Sequence, residues 1–313
     1  MKKRINITAT ALIGIIIGFT VGVPTNGRAQ PLPTNGLAAY YPFGGNASDA
    51  SGHGHDGIVH GATLGPDRFG LPNQAYVFNG TGAWIEVPNN TSIDITDDLT
   101  VAVWVNHKEL DNDLLYVHRV NAYGMHYSPQ EAPEQRLSFL ISPNNGGSWT
   151  TIGFPHTPNI NQWYHYAITY SSGNGVCRCY VDGVLIGTKT NAVQISSSGR
   201  ELAIGGYSTV KFLNGTMNEI RVYDRVLNAS EILALYHFPS LPKVGLLTGS
   251  NGVIPTFDYL AIGTNYQLQA SGNLNSWTNY GLPFNATNRS MVYPESWSTD
   301  ASRQLFFRLR VEP

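Results

Sequence analysis

Cysteine is almost missing from this chain of 313 residues. There are two, Cys177 and Cys179, a single residue apart. They sit in "CRCYVDGVLIGT", where Asp182-Gly183 separates two runs of branched and aromatic residues. Such a DG dipeptide signals a β-hairpin, because glycine accepts the positive φ of a tight turn. Both cysteines then share one strand face with Val181, and Arg178 and Tyr180 take the other. Their Cα atoms stand about 6.5–7 Å apart on an extended strand, at the limit for a bridge. No second Cys or His pair completes a zinc site. The two are expected to serve as small buried apolar groups.

Charge is scarce as well. Only 13% of residues are Asp, Glu, Lys or Arg, and the formal net charge is −2. Apart from the N-terminus there is no long apolar run. "MKKRINITATALIGIIIGFTVGVPTNGRAQ" has a basic start, an apolar stretch and small residues at Gly27 and Ala29. It reads as a secretory signal peptide, residues 1–29, cleaved before Gln30; a retained anchor helix is the alternative. Cleavage removes Lys2, Lys3, Arg4 and Arg28 and no acid, taking the net charge from −2 to −6. A secreted or cell-surface location follows, without membrane insertion after cleavage. The acidic balance argues against nucleic acid or an anionic membrane as partner.

No βαβ spacing appears, so parallel sheets are not expected. No nucleophile-elbow motif is present. The clustered E-x-D-x-x-E carboxylates of sandwich glycosidases are absent too: Glu86, Asp94, Asp97 and Asp98 are scattered over a turn. The chain therefore reads as a non-enzyme, with a polysaccharide hydrolase or lyase of unrecognised site kept as an alternative.

What the sequence does hold is short strands. "LAAYYPF", "AYVFNG", "AWIEVP", "LTVAVWVNH", "RLSFLIS", "WYHYAITY", "ELAIGG" and "NEIRVYD" are divided by Gly, Asn, Pro or Ser. In "TVAVWVN", Val101, Val103 and Val105 alternate with Ala102 and Trp104. One segment breaks the pattern. "DRVLNASEILALYHF" is a short helix with Asn228 as N-cap, Glu231 completing a capping box, and Leu227 and Ile232 as a hydrophobic staple. It is expected to plug an edge or end of a sandwich.

From Gly36 to Tyr236 the chain resembles the LamG-like jelly-roll family within the concanavalin A-like lectin/glucanase fold. The blocks "GLAAYYPFGGNASDASGHGHDGIVHG", "AYVFNGTGAWIEVPN", "LTVAVWVN", "NQWYHYAITYSSGNG", "CYVDGVLIGT", "LAIGG" and "FLNGTMNEIRVYDRVLNASEILALY" carry the likeness. It implies an all-β, antiparallel jelly-roll β-sandwich over 34–238 and a structural role for Trp104. It also implies one structural Ca²⁺, for which the candidate ligands are Asp49, Asp56, Asn79, Asn218 and Glu219. Asn218 stands where relatives commonly carry Asp, one charge fewer. His53, His55 and His60 could suggest a transition metal, but the resemblance reads their segment as a turn.

Residues 106–150 depart from the family pattern and collect rings: His107, Tyr116, His118, Tyr123, His126, Tyr127 and Trp149. Sugars need aromatic platforms beside polar groups, and binding usually sits in variable loops. The ligand contacts expected are Trp149, Tyr123, His126 and Tyr127. The function expected is a secreted non-catalytic binding module for carbohydrate or cell-surface polymer. A structural or adhesive module for extracellular protein partners is the alternative.

After His237, "FPSLPKVG" reads as a linker, residues 239–244. Residues 245–313 form a second β domain. It resembles a small C-terminal module of secreted bacterial proteins through "YQLQAS", "LNSWTN" and "FFRLRV".

Overall fold

The computed structural model describes residues 32–70, 72–207, 211–238, 243–249, 252–258, 260, 263–288, 290–296 and 306–312. The expected signal peptide and residues 239–242 of the expected linker lie outside them. The chain divides into two compact units between His237 and Phe238.

The larger unit is nearly all β. Strands β1 (Leu37–Tyr41), β2 (Ile58–His60), β3 (Thr63–Gly65), β4 (Ala75–Asn79) and β5 (Trp84–Val87) lead into the long β6 (Leu99–His107). Then come β7 (Leu114–Arg119), β8 (Tyr123–Tyr127), β9 (Leu137–Ile141) and β10 (Thr150–Phe154). Strands β11 (Trp163–Ser171), β12 (Val176–Val181), β13 (Val184–Thr190), β14 (Leu202–Ile204) and β15 (Asn214–Tyr223) precede helix α1 (Ala229–Tyr236). All named strand pairs are antiparallel. One sheet has eight strands, ordered β13-β12-β11-β6-β15-β4-β3 with β1 also paired to β15. The other has seven, ordered β10-β9-β8-β7-β14-β5-β2. This is a jelly-roll β-sandwich.

Alternation decides what lies between the sheets. Val101, Val103 and Val105 are fully buried in the main core, while Ala102 belongs to a second cluster on the opposite face. Cys177 and Cys179 pair with Tyr170 and Ile168 and face the main core as free thiols. The turn between β12 and β13 has Asp182 at φ 51° and Gly183 at φ 77°, the two positive values a two-residue hairpin of this hand requires.

The helix sits elsewhere than expected. Asn228 accepts from the Ser230 and Glu231 amides, and Glu231 accepts from the Asn228 amide, so the capping box is complete. Leu227, Ile232 and Leu235 pack on Ala102, Ala167, Tyr180 and Tyr223. The helix thus covers the outer face of the eight-stranded sheet, not an edge or end. Tyr180, expected outside, is buried beneath it. Ala102 and Ala167 are small, which lets the helix approach the sheet.

Residues 106–150 also differ from expectation. They contain strands β7, β8 and β9, three of the seven strands of the second sheet, with loops between them, and so are not a set of surface loops alone.

The smaller unit pairs two three-stranded sheets. Strands β16 (Lys243–Gly249), β17 (Gly252–Asp258) and β20 (Met291–Val292) form one. Strands β18 (Asn265–Ser271), β19 (Thr278–Asn285) and β21 (Phe306–Val311) form the other. Phe257, Tyr266, Leu268 and Tyr293 make its core.

Burial raises both thiols well above their ordinary pKa. Both are expected to resist a polar thiol reagent in the native protein and to react after denaturation. Cys179→Ser should lower stability by about 1–3 kcal/mol, because it buries a hydroxyl without an assured partner. Rapid labelling of the native protein would contradict this placement.

Candidate functional site

The seven-stranded sheet has one face in the core and one turned away from it. On β8 the alternation puts Tyr123, Met125 and Tyr127 into the core and Gly124 and His126 on the other side. Tyr123 and Tyr127 are 0% and 1% exposed. Both were expected to touch ligand, and their inward orientation corrects that. His107 and Tyr116 are likewise interior, bonded to each other at 2.8 Å.

The register draws a row across the outer face: Glu86, Ala203, His118, Gly124, Leu140 and Thr151 on successive strands. At about 4.8 Å per strand the row runs about 24 Å. Gly124 has a specific job in it. A Cβ there would lie 3.1 Å from Cδ2 of His118, so the missing side chain lets the imidazole lie over β8. Trp149, 41% exposed, rests against His118 at 5.6 Å between ring centroids. Tyr207 meets the same imidazole edge-on at 5.7 Å. Trp84 is 6.2 Å from Tyr207, and His60 stacks on Trp84 at 4.7 Å. Five rings from five parts of the chain thereby form one continuous line. Trp149 was legible from sequence. Trp84, Tyr207 and His60 were not, although alternation in "WIEV" does set Trp84 and Glu86 opposite Ile85 and Val87.

Polar groups flank the rings. His60 meets Glu86 at 3.0 Å. Arg200 forks onto Glu201 at 3.1 and 3.2 Å and donates to the Tyr207 hydroxyl at 3.0 Å. Lys211 pairs with Asp113 at 3.1 Å. Asp113 and Lys211 belong to a cleft of about 670 Å³ that also takes in Asn112, Ser128, Gln130 and Glu131.

His126 is buried on this face. Its Nδ1 is 2.8 Å from the Ser138 hydroxyl and its Nε2 is 3.8 Å from Asp113. The order Asp113–His126–Ser138 has the composition of a hydrolytic triad. The Asp113 contact is too long for a hydrogen bond, and Ser138 is fully buried, so no substrate carbonyl meets its hydroxyl in this conformation. Burial, and then nearby Lys211, lowers His126 to about 4. His118 is lowered to about 4 by burial, Lys211 and His126. Burial alone would raise Asp113 and Glu201. Hydrogen bonds from Ser128 and Lys211 to the first, and from Arg200 to the second, outweigh it and hold both low. A glycosidase acid needs the opposite shift.

The five residues expected to hold calcium do not form one donor set. Asn79 pairs with Asn214, four residues before Asn218 on the same strand, so Asn79 and Asn218 are about 13 Å apart. The ion needs its oxygens within about 2.6 Å. The Asn79 carbonyl already accepts from the Thr81, Gly82 and Ala83 amides. Asp49 accepts from the Tyr40, Ser51 and His55 amides and the Ser51 hydroxyl, and Asp56 accepts from the Asp49 amide. Glu219 binds Arg221 at 2.6 Å and the Tyr40 hydroxyl at 2.9 Å. Asn218 lies 3.5 Å from Arg68. Among the described residues no three His, Cys, Asp or Glu side chains gather as a metal site.

Residues 79–233 match the model of the concanavalin A-like lectin/glucanases superfamily. The jelly roll is similar to the domains of that superfamily over most of its length. A 152-residue segment is 24% identical to the sushi, von Willebrand factor type A, EGF and pentraxin domain-containing protein 1 of Rattus norvegicus and of Mus musculus. That segment takes in 44% of this chain and 4% of those much longer proteins. Among solved structures, domain 4 of AbnA is similar at TM-score 0.54 and 20% identity, over 64% of this chain and 98% of that one. AbnA is an extracellular arabinanase of Geobacillus stearothermophilus, and this domain was solved with arabinotriose. The binding domain of botulinum neurotoxin DC, solved with rat synaptotagmin II, is similar at TM-score 0.54 and 15% identity, over 79% of this chain and 70% of that one. These likenesses concern the fold. No helix among the described residues is long and apolar enough to cross a membrane.

Two outcomes are expected. Four buried histidines and the half-buried His156 are lowered, chiefly by desolvation: His118, His126 and His156 to about 4, His107 and His165 to about 3. Between these values and the unfolded value near 6.5 the unfolded chain binds more protons. Stability should therefore rise with pH over that window and fall on acidification through it. Thermal melts from pH 7 to pH 4 check this, and a flat Tm would contradict neutral buried imidazoles. Melts in EDTA and in millimolar CaCl₂ test the remaining oxygens: Asn79 stands too far from Asn218 to share an ion with it, so any Ca²⁺-dependent rise in Tm that needs Asn218 should persist in Asn79→Ala.

Proposed function

We propose that the protein is a non-catalytic extracellular binding module that holds carbohydrate on the outer face of its seven-stranded sheet. The observation that carries this reading is the line of five rings, Trp149–His118–Tyr207–Trp84–His60, with polar side chains on both flanks. Sugar rings stack their C–H faces on aromatics while their hydroxyls take hydrogen bonds beside them. The arabinotriose bound by domain 4 of the arabinanase supports it, as does SialylT bound to the neurotoxin DC binding domain, a fold neighbour at TM-score 0.52. The low pKa of Asp113 and Glu201 and the burial of Ser138 support binding over hydrolysis. The signal-peptide reading of residues 1–29 supports an extracellular location.

A second reading, a protein-interaction module, is favoured by one other observation. Val184, Leu185 and Leu233 are 64%, 47% and 42% exposed. Gly183 lies against Leu233, so the hairpin turn and helix α1 present these apolar groups together.

The two are separated by a glycan array with the full secreted chain, followed by calorimetry on any ligand found. Trp149→Ala and Trp84→Ala should each weaken binding by roughly 1–3 kcal/mol, as expected for an aromatic anchor, with little change in Tm for Trp149→Ala. An empty array, or a ligand indifferent to both tryptophans, removes the carbohydrate reading.

A further inference from the structure

We propose that the carbohydrate held on this face is an uncharged polysaccharide, and that anionic glycans are rejected. The inference rests on the carbohydrate reading above and deepens it by naming the ligand class.

The face is short of free positive charge. Its permanent cations are Lys211 and Arg200, and both are spoken for. Lys211 is 3.1 Å from Asp113. Arg200 engages both oxygens of Glu201 and the Tyr207 hydroxyl. Against these two cations stand four carboxylates: Glu86, Asp113, Glu131 and Glu201. The formal charge of the face is thus −2, four negative against two positive. A sulfate or carboxylate arriving here finds no unpaired guanidinium or ammonium among these groups. It would also sit beside carboxylates of its own sign.

His118 and His126 do not alter the balance. Burial keeps His118 and His126 neutral at any pH well above about 4. They add no charge to the face and no reachable hydrogen bond, because His118 Nδ1 and His126 Nε2 are both buried. The ring line supplies the contact, and it does so without a permanent charge. It crosses strands β2, β5 and β7 and the segments carrying Tyr207 and Trp149, so it suits successive units of a chain more than a single terminal residue.

The mature charge points the same way. With residues 1–29 removed the chain carries −6, so its long-range field slows the approach of polyanions and is indifferent to neutral chains.

The test is affinity electrophoresis of the full secreted chain in gels containing arabinan, arabinoxylan, galactomannan, mixed-linkage β-glucan or hydroxyethylcellulose. The paired anionic gels contain carboxymethylcellulose, polygalacturonate, alginate or dextran sulfate. Retardation is expected in at least one neutral gel, with a Trp149→Ala loss of tenfold or more in affinity. Raising NaCl from about 0.1 M to about 1 M, which shortens the Debye length from about 10 Å to about 3 Å, should change that affinity less than twofold. Retardation by anionic gels alone, lost with salt and sensitive to Trp149→Ala, overturns the neutral-ligand inference and leaves the carbohydrate reading standing. Absence of retardation in every gel, with the array also empty, overturns the carbohydrate reading and this inference with it.

Discussion

Everything in the larger unit depends on the two-residue alternation of strands that are buried on both faces. β6 shows the constraint most clearly. Its valines fill the gap between sheets, while Ala102 and Trp104 serve a different surface. Ala102 lies under helix α1, and Trp104 stacks on Tyr236 at 5.5 Å with Arg68 held 4.3 Å above its ring. A one-residue slip in this strand would send the valines to the helix and the tryptophan into the core, so register is specified from both sides at once.

The same alternation gives the second sheet its two characters. Its inner face is closed by Tyr116, Tyr123, Tyr127 and Phe139. Among the described residues no helix covers its outer face, which instead carries rings, imidazoles and paired charges. Large rings inside keep the sheet stiff; Trp84 and His118 inherit that stiffness, because each is flanked in sequence by buried residues. A binding surface built on strands in this manner is held more rigidly than one built on loops.

Much of the fold was legible because its signals are local. The Asp182-Gly183 turn, the Asn228–Glu231 capping box and the inward cysteines each follow from a few adjacent residues. The position of helix α1 was not local: nothing in "ASEILALY" says which face it covers, and only the small Ala102 and Ala167, far away in sequence, admit it there. The site was half legible. "YGMHY" contains its own alternation, in which Tyr123 and Tyr127 oppose His126, and grouping them as contacts overlooked that period. Trp84 and Tyr207 were hidden for another reason. They approach His118 because β14 inserts between β5 and β7, a pairing that bridges more than a hundred residues and leaves no trace in any one segment.

Gly124 gives the face an adjustable foundation. The outermost platform, Trp149, leans on an imidazole that lies where a side chain would otherwise stand. A methyl or larger group at residue 124 would lift that imidazole and with it the tryptophan, while the tyrosines and methionine on the far side of the strand kept their places. The tilt of the contact surface and the integrity of the core are therefore set by different atoms of one short strand. Lineages sharing this scaffold could diversify what they grip by changing one small residue, without renegotiating how they fold.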